Sequence, residues 1–192
     1  MTPVSVKIHS APPLSKKEIL RYAGGGDESV ISLMDECLSE LLPSLTYKSC
    51  RIEVSVTLSE NGVMLSHIFL PSHDLAKNLK GCKRAVVFAA TVGFAPDRAI
   101  AKYSVVSPAR ALLFQAIGAE RIEALCDEIS GEYRNTRPRF SPGYGDLPLS
   151  FQKEIFTLLS PTKHLGVTLS ESLLMSPSKS VTAIMGLKET PL

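Results

Sequence analysis

The sequence predicts an α+β fold, in which a twisted and largely antiparallel sheet is flanked by helices. Residues 51–58 alternate apolar and polar side chains, and Asn61-Gly62, a strong hairpin signal, allows residues 63–70 to return as the partner strand. The continuous apolar run at residues 85–90 is typical of a buried strand. The longest helical pattern, which begins at Pro108, provides an apolar stripe that could cover such a sheet.

The N-terminal part is predicted to hold a short strand and two helices. Residues 4–8 alternate apolar and polar side chains, which favours a strand. Ser15 begins a capping-box pattern that opens a helix. The glycines at 24–26 end this helix, and they lack the Gly-Lys-Ser/Thr ending of a phosphate-binding loop, so a phosphate site is not favoured there. Residues 28–42 carry apolar side chains at helical spacing, which predicts a core-facing helix.

The rest of the chain is predicted to alternate helices and strands. After the buried strand, Thr91-Val92-Gly93 turns out of the sheet, and both a ligand loop and a tight structural turn remain open for it. Ser150 is predicted to cap a helix whose residues 152–154 face water. Residues 167–169 and 181–186 are interpreted as two final strands.

Composition sets the class of protein. With 192 residues, of which 44% are hydrophobic, the chain can bury one sizeable core, and a single domain over residues 1–192 is expected. The net charge of +2, without long runs of one sign, gives no electrostatic footprint for nucleic acid or for an anionic membrane. No apolar stretch approaches the roughly 20 residues of a membrane helix, and no signal peptide is evident, so a cytoplasmic protein is expected.

Neither a metal site nor a disulfide framework is predicted. The four cysteines are scattered without a Cys-x-x-Cys pair, which favours buried, reduced thiols. His67 and His73 have no partners at metal-ligand spacing.

Residues 137–148 are predicted to form a shaped loop that binds a ligand. This stretch contains three prolines, two glycines and two arginines, a composition that excludes a regular helix or central strand. Glycines allow a close backbone approach to a small molecule, and prolines limit the entropy lost on ordering. Arg139 offers a planar fork for a carboxylate or phosphate, and Tyr144 offers a ring face and a hydroxyl. A proline-rich connector with an exposed arginine is the alternative.

Three blocks of sequence resemble the activation domain of cobalamin-dependent methionine synthase, and they occur in the family's order. They are Arg139-Phe140-Ser141-Pro142-Gly143-Tyr144, the segment from Lys163 to Ser172, and the segment from Met175 to Val181. The resemblance covers roughly residues 75–187, while residues 1–74 match the family only loosely. It implies the α+β fold of that domain.

The resemblance also implies S-adenosylmethionine as the ligand. Arg139 is then expected to pair with its carboxylate, and the backbone of Ser141 and Gly143 to meet the adenine edge or the amino-acid tail. Tyr144 would flank the sulfonium or hydrogen-bond the ligand. Glu123, on the long helix, would pair with the ammonium or the ribose. No residue of this set is a nucleophile or general base, so no catalytic residue is assigned.

Glu120 competes with Glu123 for the acidic position. Aligning Glu123 with the family leaves Ala124, Leu125 and Asp127 opposite similar residues, whereas Glu120 requires a shift of register. A solvated helix face is the alternative for either glutamate. The acidic contact that the family carries near the start of the domain has no match that can be assigned, and residues 145–148 differ from the family's usual sequence after the tyrosine.

The function implied is that of a free-standing reactivation subunit. It would present S-adenosylmethionine to an inactive cobalamin carried by a methionine synthase chain, with one electron from a flavodoxin- or ferredoxin-type donor. The Asp-x-His-x-x-Gly motif of cobalamin binding is absent, so cobalamin is expected only on the partner. A docking module that makes no use of S-adenosylmethionine, and an activator of another corrinoid methyltransferase, are the alternatives.

Overall fold

The structure is a computed structural model that describes residues 3–188 of the 192-residue chain. Its strands are β1 (Ser5–Ile8), β2 (Lys48–Ser59), β3 (Gly62–Leu65), β4 (Ile68–Leu70), β5 (Cys82–Thr91), β6 (Thr168–Leu169), β7 (Met175–Ser176) and β8 (Ser180–Lys188). Its helices are α1 (Lys16–Ala23), α2 (Glu28–Leu41), α3 (His73–Asn78), α4 (Ala95–Val106), α5 (Pro108–Gly131), α6 (Gln152–Leu159) and α7 (Pro161–Leu165).

The six strands of the main sheet pair antiparallel throughout, in the order β4-β3-β2-β5-β8, with β1 also paired to β2. Strand β2 can hold two partners on one edge because it is 12 residues long. Its first four residues pair with β1 and its last four residues pair with β3. The predicted α+β class, with helices flanking an antiparallel sheet, is confirmed.

Both faces of the sheet are covered, which explains why β5 is a continuous apolar run rather than an alternating one. On one face, Val87 and its neighbours pack with side chains from α3 and α6. On the other face, Phe88 packs with Ile122, Leu125 and Ile129 from the second half of α5. The first half of α5 continues past the sheet and packs against α1, α2 and α4. Helix α5 therefore joins the sheet to the N-terminal helices.

Three sequence predictions were wrong. The return strand at 63–70 is split into β3 and β4, because Ser66 adopts a left-handed conformation with φ 55°. The predicted strand at 167–169 pairs with Met175–Ser176 in a separate two-stranded sheet, so only β8 joins the main sheet. Ser150 lies in a 3-10 turn and does not cap α6, and the first residue of that helix, Gln152, is buried rather than facing water.

All four cysteines are buried and unpaired, as predicted. Burial raises the pKa of the Cys126 thiol to about 12 and that of Cys50 to about 11. Such thiols stay protonated and unreactive at neutral pH. Within residues 3–188, no helix combines the length and the apolar character that crossing a membrane requires.

The turn at Gly93 has the geometry of a structural turn. Gly93 has a φ of +83°, and its N–H donates to Thr91 Oγ1 at 3.1 Å. A Cβ at this position would lie 2.5 Å from Thr46 Oγ1. Gly24, the C-cap of α1, has a similar φ of +87° but open space around it.

These two glycines form a matched pair for a stability test. Gly93→Ala is expected to cost about 2–3 kcal/mol of unfolding free energy, because it adds a clash to the left-handed backbone strain. Gly24→Ala carries the strain alone and is expected to cost about 1 kcal/mol. Chemical denaturation of both variants measures the difference. Equal losses would mean that Thr46 moves aside and that the close packing at this turn contributes little.

Candidate functional site

A cavity of about 970 Å³ opens at the edge of strand β8. Its walls come from α5, from the loop at residues 136–149, from Gln152 at the start of α6 and from residues 173–182. Because α5 covers one face of the sheet and α6 the other, the cavity extends around the sheet edge from one helix to the other. Four of the five predicted site residues line it: Glu123, Arg139, Ser141 and Tyr144.

The loop is fixed along β8 by backbone hydrogen bonds. Phe140 and Ile184 exchange two of them, at 2.9 Å and 2.8 Å, and the Arg137 N–H donates to the Gly186 carbonyl at 2.8 Å. The Ser141 hydroxyl adds a bond to the Thr182 carbonyl at 2.7 Å. Strand β8 therefore holds the loop at the edge of the main sheet.

Gly143 shapes the loop and does not line the cavity. Its φ is +92°, and its N–H donates to the Leu147 carbonyl at 2.8 Å. The Tyr144 N–H donates in turn to the Ser141 carbonyl at 3.1 Å. The Gly143 N–H is thus used inside the turn, and only its carbonyl is left for a ligand. Tyr144 itself is 66% exposed and lies at the mouth of the cavity.

The far end of the loop is anchored on α3 by Asp146. Its carboxylate accepts from the Ser72 hydroxyl, from the His73 N–H at 2.7 Å and from the Asp74 N–H at 3.2 Å. The Ser72 hydrogen bond, followed by those from the α3 N-terminus, holds the pKa of Asp146 below its usual value. Asp146, which departs from the family's usual sequence, thus holds the loop to the N-terminus of α3.

Arg139 lies at the charged end of the cavity, within an ion cluster. Its Nη1 donates to Asp127 Oδ1 at 2.6 Å and to Ser130 Oγ at 3.3 Å, and its Nη2 donates to Glu123 Oε2 at 2.9 Å. Glu123, Asp127 and Ser130 follow one another at i, i+4 and i+7 on α5, so they share one helix face. With two carboxylates and one guanidinium, this cluster has a formal charge of about −1 at neutral pH.

Glu120 lies elsewhere, in a buried ion pair. Its carboxylate accepts from Arg121 Nε at 2.5 Å and Arg121 Nη2 at 2.6 Å, and from the Ser15 N–H at 2.9 Å. Arg121 also donates to the carbonyls of Pro12 and Pro13, at 2.8 Å and 2.7 Å. Glu120 therefore joins α5 to the N-terminal segment and does not line the large cavity. Of the two glutamates, Glu123 is the one that lines the large cavity.

Asp127 and Gln152 line the cavity and were missed in the sequence. Asp127 follows Glu123 by one helical turn, and this spacing was a signal that could have identified it. Gln152 had no such signal, because its polar side chain at the start of a helix indicated a solvated position. In the structure it is 4% exposed, and its Oε1 accepts from Thr182 Oγ1 at 2.7 Å.

A group of possible metal ligands lies away from the cavity. One ligand atom from each of His9, Glu128 and Glu132 fits within 4.8 Å of the others. Glu132, however, is paired with Lys7 at 2.7 Å and with Arg51 at 2.6 Å. These two cations supply the positive charge that a metal ion would bring, so the group is best described as an ion-pair network.

Comparison with known proteins agrees with this architecture. Residues 118–190 match the family model of the vitamin B12-dependent methionine synthase activation domain. No curated protein matches the sequence significantly. A crystal structure of the MetH reactivation domain bound to AdoHcy (S-adenosylhomocysteine) is similar, with a TM-score of 0.69 and 14% identity, and the match covers 100% of this chain and 80% of that one. The resemblance is thereby confirmed: this chain has the fold of the MetH reactivation domain, and residues 118–190 carry the sequence pattern of the methionine synthase activation domain.

Proposed function

We infer that this chain binds S-adenosylmethionine in the large cavity and acts as a reactivation subunit of a cobalamin-dependent methionine synthase. The observation that carries this proposal is the ion cluster of Arg139 with Glu123 and Asp127 inside a cavity of about 970 Å³. A volume of this order is sufficient for a ligand of nucleoside size. The similar crystal structure, a reactivation domain bound to AdoHcy, adds support.

The ion cluster matches the amino-acid end of S-adenosylmethionine. That end carries a carboxylate and an ammonium, and the cluster offers a guanidinium and two carboxylates. The ligand carboxylate would pair with Arg139, and the ligand ammonium would pair with Glu123 or Asp127. The ligand carboxylate would thus replace a protein carboxylate beside Arg139, and the ammonium would replace the guanidinium beside that carboxylate. Charge-assisted hydrogen bonds of this kind are roughly twice as strong as neutral ones. Asp127 provides a second acidic group that the sequence alone had not assigned.

The chemistry requires alignment more than proton transfer. The methyl group would leave the sulfonium with the electron pair of its carbon–sulfur bond remaining on sulfur. The nucleophile would be the cobalt of a partner chain's cobalamin, once one electron from a flavodoxin- or ferredoxin-type donor has reduced it. This chain would hold the donor in place for that attack, in the cytoplasm, and Glu123 and Asp127 would bind the ligand ammonium rather than transfer a proton.

The Glu123→Gln substitution tests the charged end of the site. It is expected to weaken S-adenosylmethionine binding about tenfold, since it removes one charged acceptor for the ammonium while Asp127 remains. The melting temperature without ligand should change little, because the Glu123 side chain is 46% exposed. Calorimetric titration gives the affinity, and Glu154→Gln, on the water-facing side of α6, controls for the loss of one negative charge. Equal affinity in both variants would remove Glu123 from the site.

One observation favours a second candidate function. Arg139 already has three hydrogen-bond partners on α5, so the cluster is complete without a ligand. A module that docks on a corrinoid protein and makes no use of S-adenosylmethionine would show the same arrangement, whether its partner is methionine synthase or another corrinoid methyltransferase.

A reactivation assay with Arg139→Ala separates the two functions. The assay combines the chain with a cobalamin-carrying methionine synthase that lacks its own activation domain, a reductant and S-adenosylmethionine. For a subunit that uses the ligand, reactivation should fall while pull-down of the partner persists. For a docking module, both should be unchanged. Co-purification identifies the corrinoid partner.

A further inference from the structure

We propose that Gln152 is a ligand-binding residue of the cavity, whose side-chain amide donates a hydrogen bond to the adenosine half of the ligand. This inference rests on the proposed function and extends it. It assigns a side chain to bind the adenosine half of the ligand, at the end of the cavity away from Arg139, for which the sequence analysis had predicted backbone contacts to the adenine edge.

Gln152 is a nearly buried side chain whose amide has an unused donor. Gln152 is 4% exposed, and its Oε1 accepts from the Thr182 hydroxyl at 2.7 Å. Thr182 is itself buried, so this bond fixes the orientation of the amide. No residue within 3–188 accepts a hydrogen bond from Gln152 Nε2, and this atom is not among the fully buried atoms that lack a partner. Because Gln152 lines the cavity, its amide donor reaches the cavity and is available to a ligand there.

Gln152 and Arg139 line the same cavity from different faces of the sheet. Arg139 reaches its partners on α5, which covers one face of the sheet, whereas Gln152 begins α6, which covers the other. Ser141 lies between them in the loop, and it bonds to the backbone carbonyl of the same Thr182 that holds Gln152. A ligand whose amino-acid end occupies the ion cluster would therefore extend around the sheet edge towards Gln152.

Apolar side chains also line the cavity. The cavity lining includes Leu149 and Leu174, both of which are exposed although they are large and apolar. A flat aromatic base can pack on such side chains, and the N–H donors of Gln152 suit the acceptor atoms of adenine and ribose. The Gln152 end is neutral and differs in this from the charged Arg139 end.

The test compares two ligands that share the adenosine half. S-Adenosylhomocysteine carries the amino-acid end, and 5′-methylthioadenosine lacks it. Gln152→Met, which keeps the size of the side chain and removes its donors, is expected to weaken both ligands by the same factor, about tenfold. Arg139→Ala is expected to weaken S-adenosylhomocysteine alone. Gln152→Asn keeps a polar amide but is too short to reach the same position, so it should show the same loss of affinity. This variant controls for an effect of the methionine side chain on packing.

Each result has one meaning. Equal affinity of wild type and both Gln152 variants for both ligands would overturn the proposal, even if the variants were less stable, because Gln152 would then serve only the packing of α6. A loss confined to S-adenosylhomocysteine would also overturn it, since Gln152 would contact the amino-acid end. If the wild type bound neither ligand, the proposed function itself would fail, an outcome distinct from a failure at Gln152 alone.

Discussion

The Glu120→Gln substitution is expected to lower the free energy of unfolding by about 3–5 kcal/mol, because it leaves a buried guanidinium without its counter-charge. The side chains of Glu120 and Arg121 are 4% and 1% exposed, and they are joined by two short hydrogen bonds. The same carboxylate holds the Ser15 N–H at the start of α1. The loss should therefore include weaker docking of the N-terminal segment on α5.

Chemical denaturation measures this loss, and Glu123→Gln provides the control on the same helix, one turn away. This substitution should leave the free energy of unfolding nearly unchanged, because the Glu123 carboxylate is partly exposed. Ligand affinity of the folded Glu120→Gln protein should remain that of the wild type, since Glu120 does not line the large cavity. A loss below about 1 kcal/mol would place the ion pair in the energetic class of solvated surface pairs and contradict its burial.

The Arg139→Ala substitution is expected to weaken S-adenosylmethionine binding by about 1.5–3 kcal/mol, which is roughly ten- to 150-fold. It removes the cation that pairs with the ligand carboxylate and leaves Glu123 and Asp127 without a counter-charge beside it. Both acidic side chains are substantially exposed, at 46% and 74%, so water can solvate them in the free protein. Stability should change by no more than about 1 kcal/mol.

A matched control is Arg84→Ala, which removes an arginine from an exposed pair with Glu53. This variant loses the same charge far from the cavity lining, so it should bind S-adenosylmethionine as the wild type does. Titration of both variants at one salt concentration separates a direct contact from a change in net charge. Equal affinity of Arg139→Ala and the wild type would place the ligand carboxylate elsewhere.

The core of the fold could be predicted because its strands carry strong local signals. Asn61-Gly62 marked the hairpin, and the apolar run at 85–90 marked a strand covered on both faces. The break at Ser66 carried no glycine or proline and was missed for that reason. The pairing of residues 168–169 with 175–176 was missed because residues 170–174 between them contain no glycine, proline or asparagine to mark a hairpin turn.

The cavity could be predicted only in part. The composition of the 137–148 loop and the family resemblance pointed to Arg139, and helix spacing would have added Asp127. The buried position of Gln152 depends on where α6 crosses the edge of β8, because its partner Thr182 is 30 residues away. Nothing local in the sequence carries that information. The prediction that residues 152–154 face water was therefore wrong for Gln152.

The central claim is that the cavity binds S-adenosylmethionine, and a calorimetric titration of the wild-type chain tests it most directly. We expect saturable heat with one ligand bound per chain. We also expect a melting temperature that rises with ligand concentration, because only the folded state binds the ligand. Absence of both heat and a ligand-dependent rise in melting temperature, at concentrations well above the millimolar range, would contradict it.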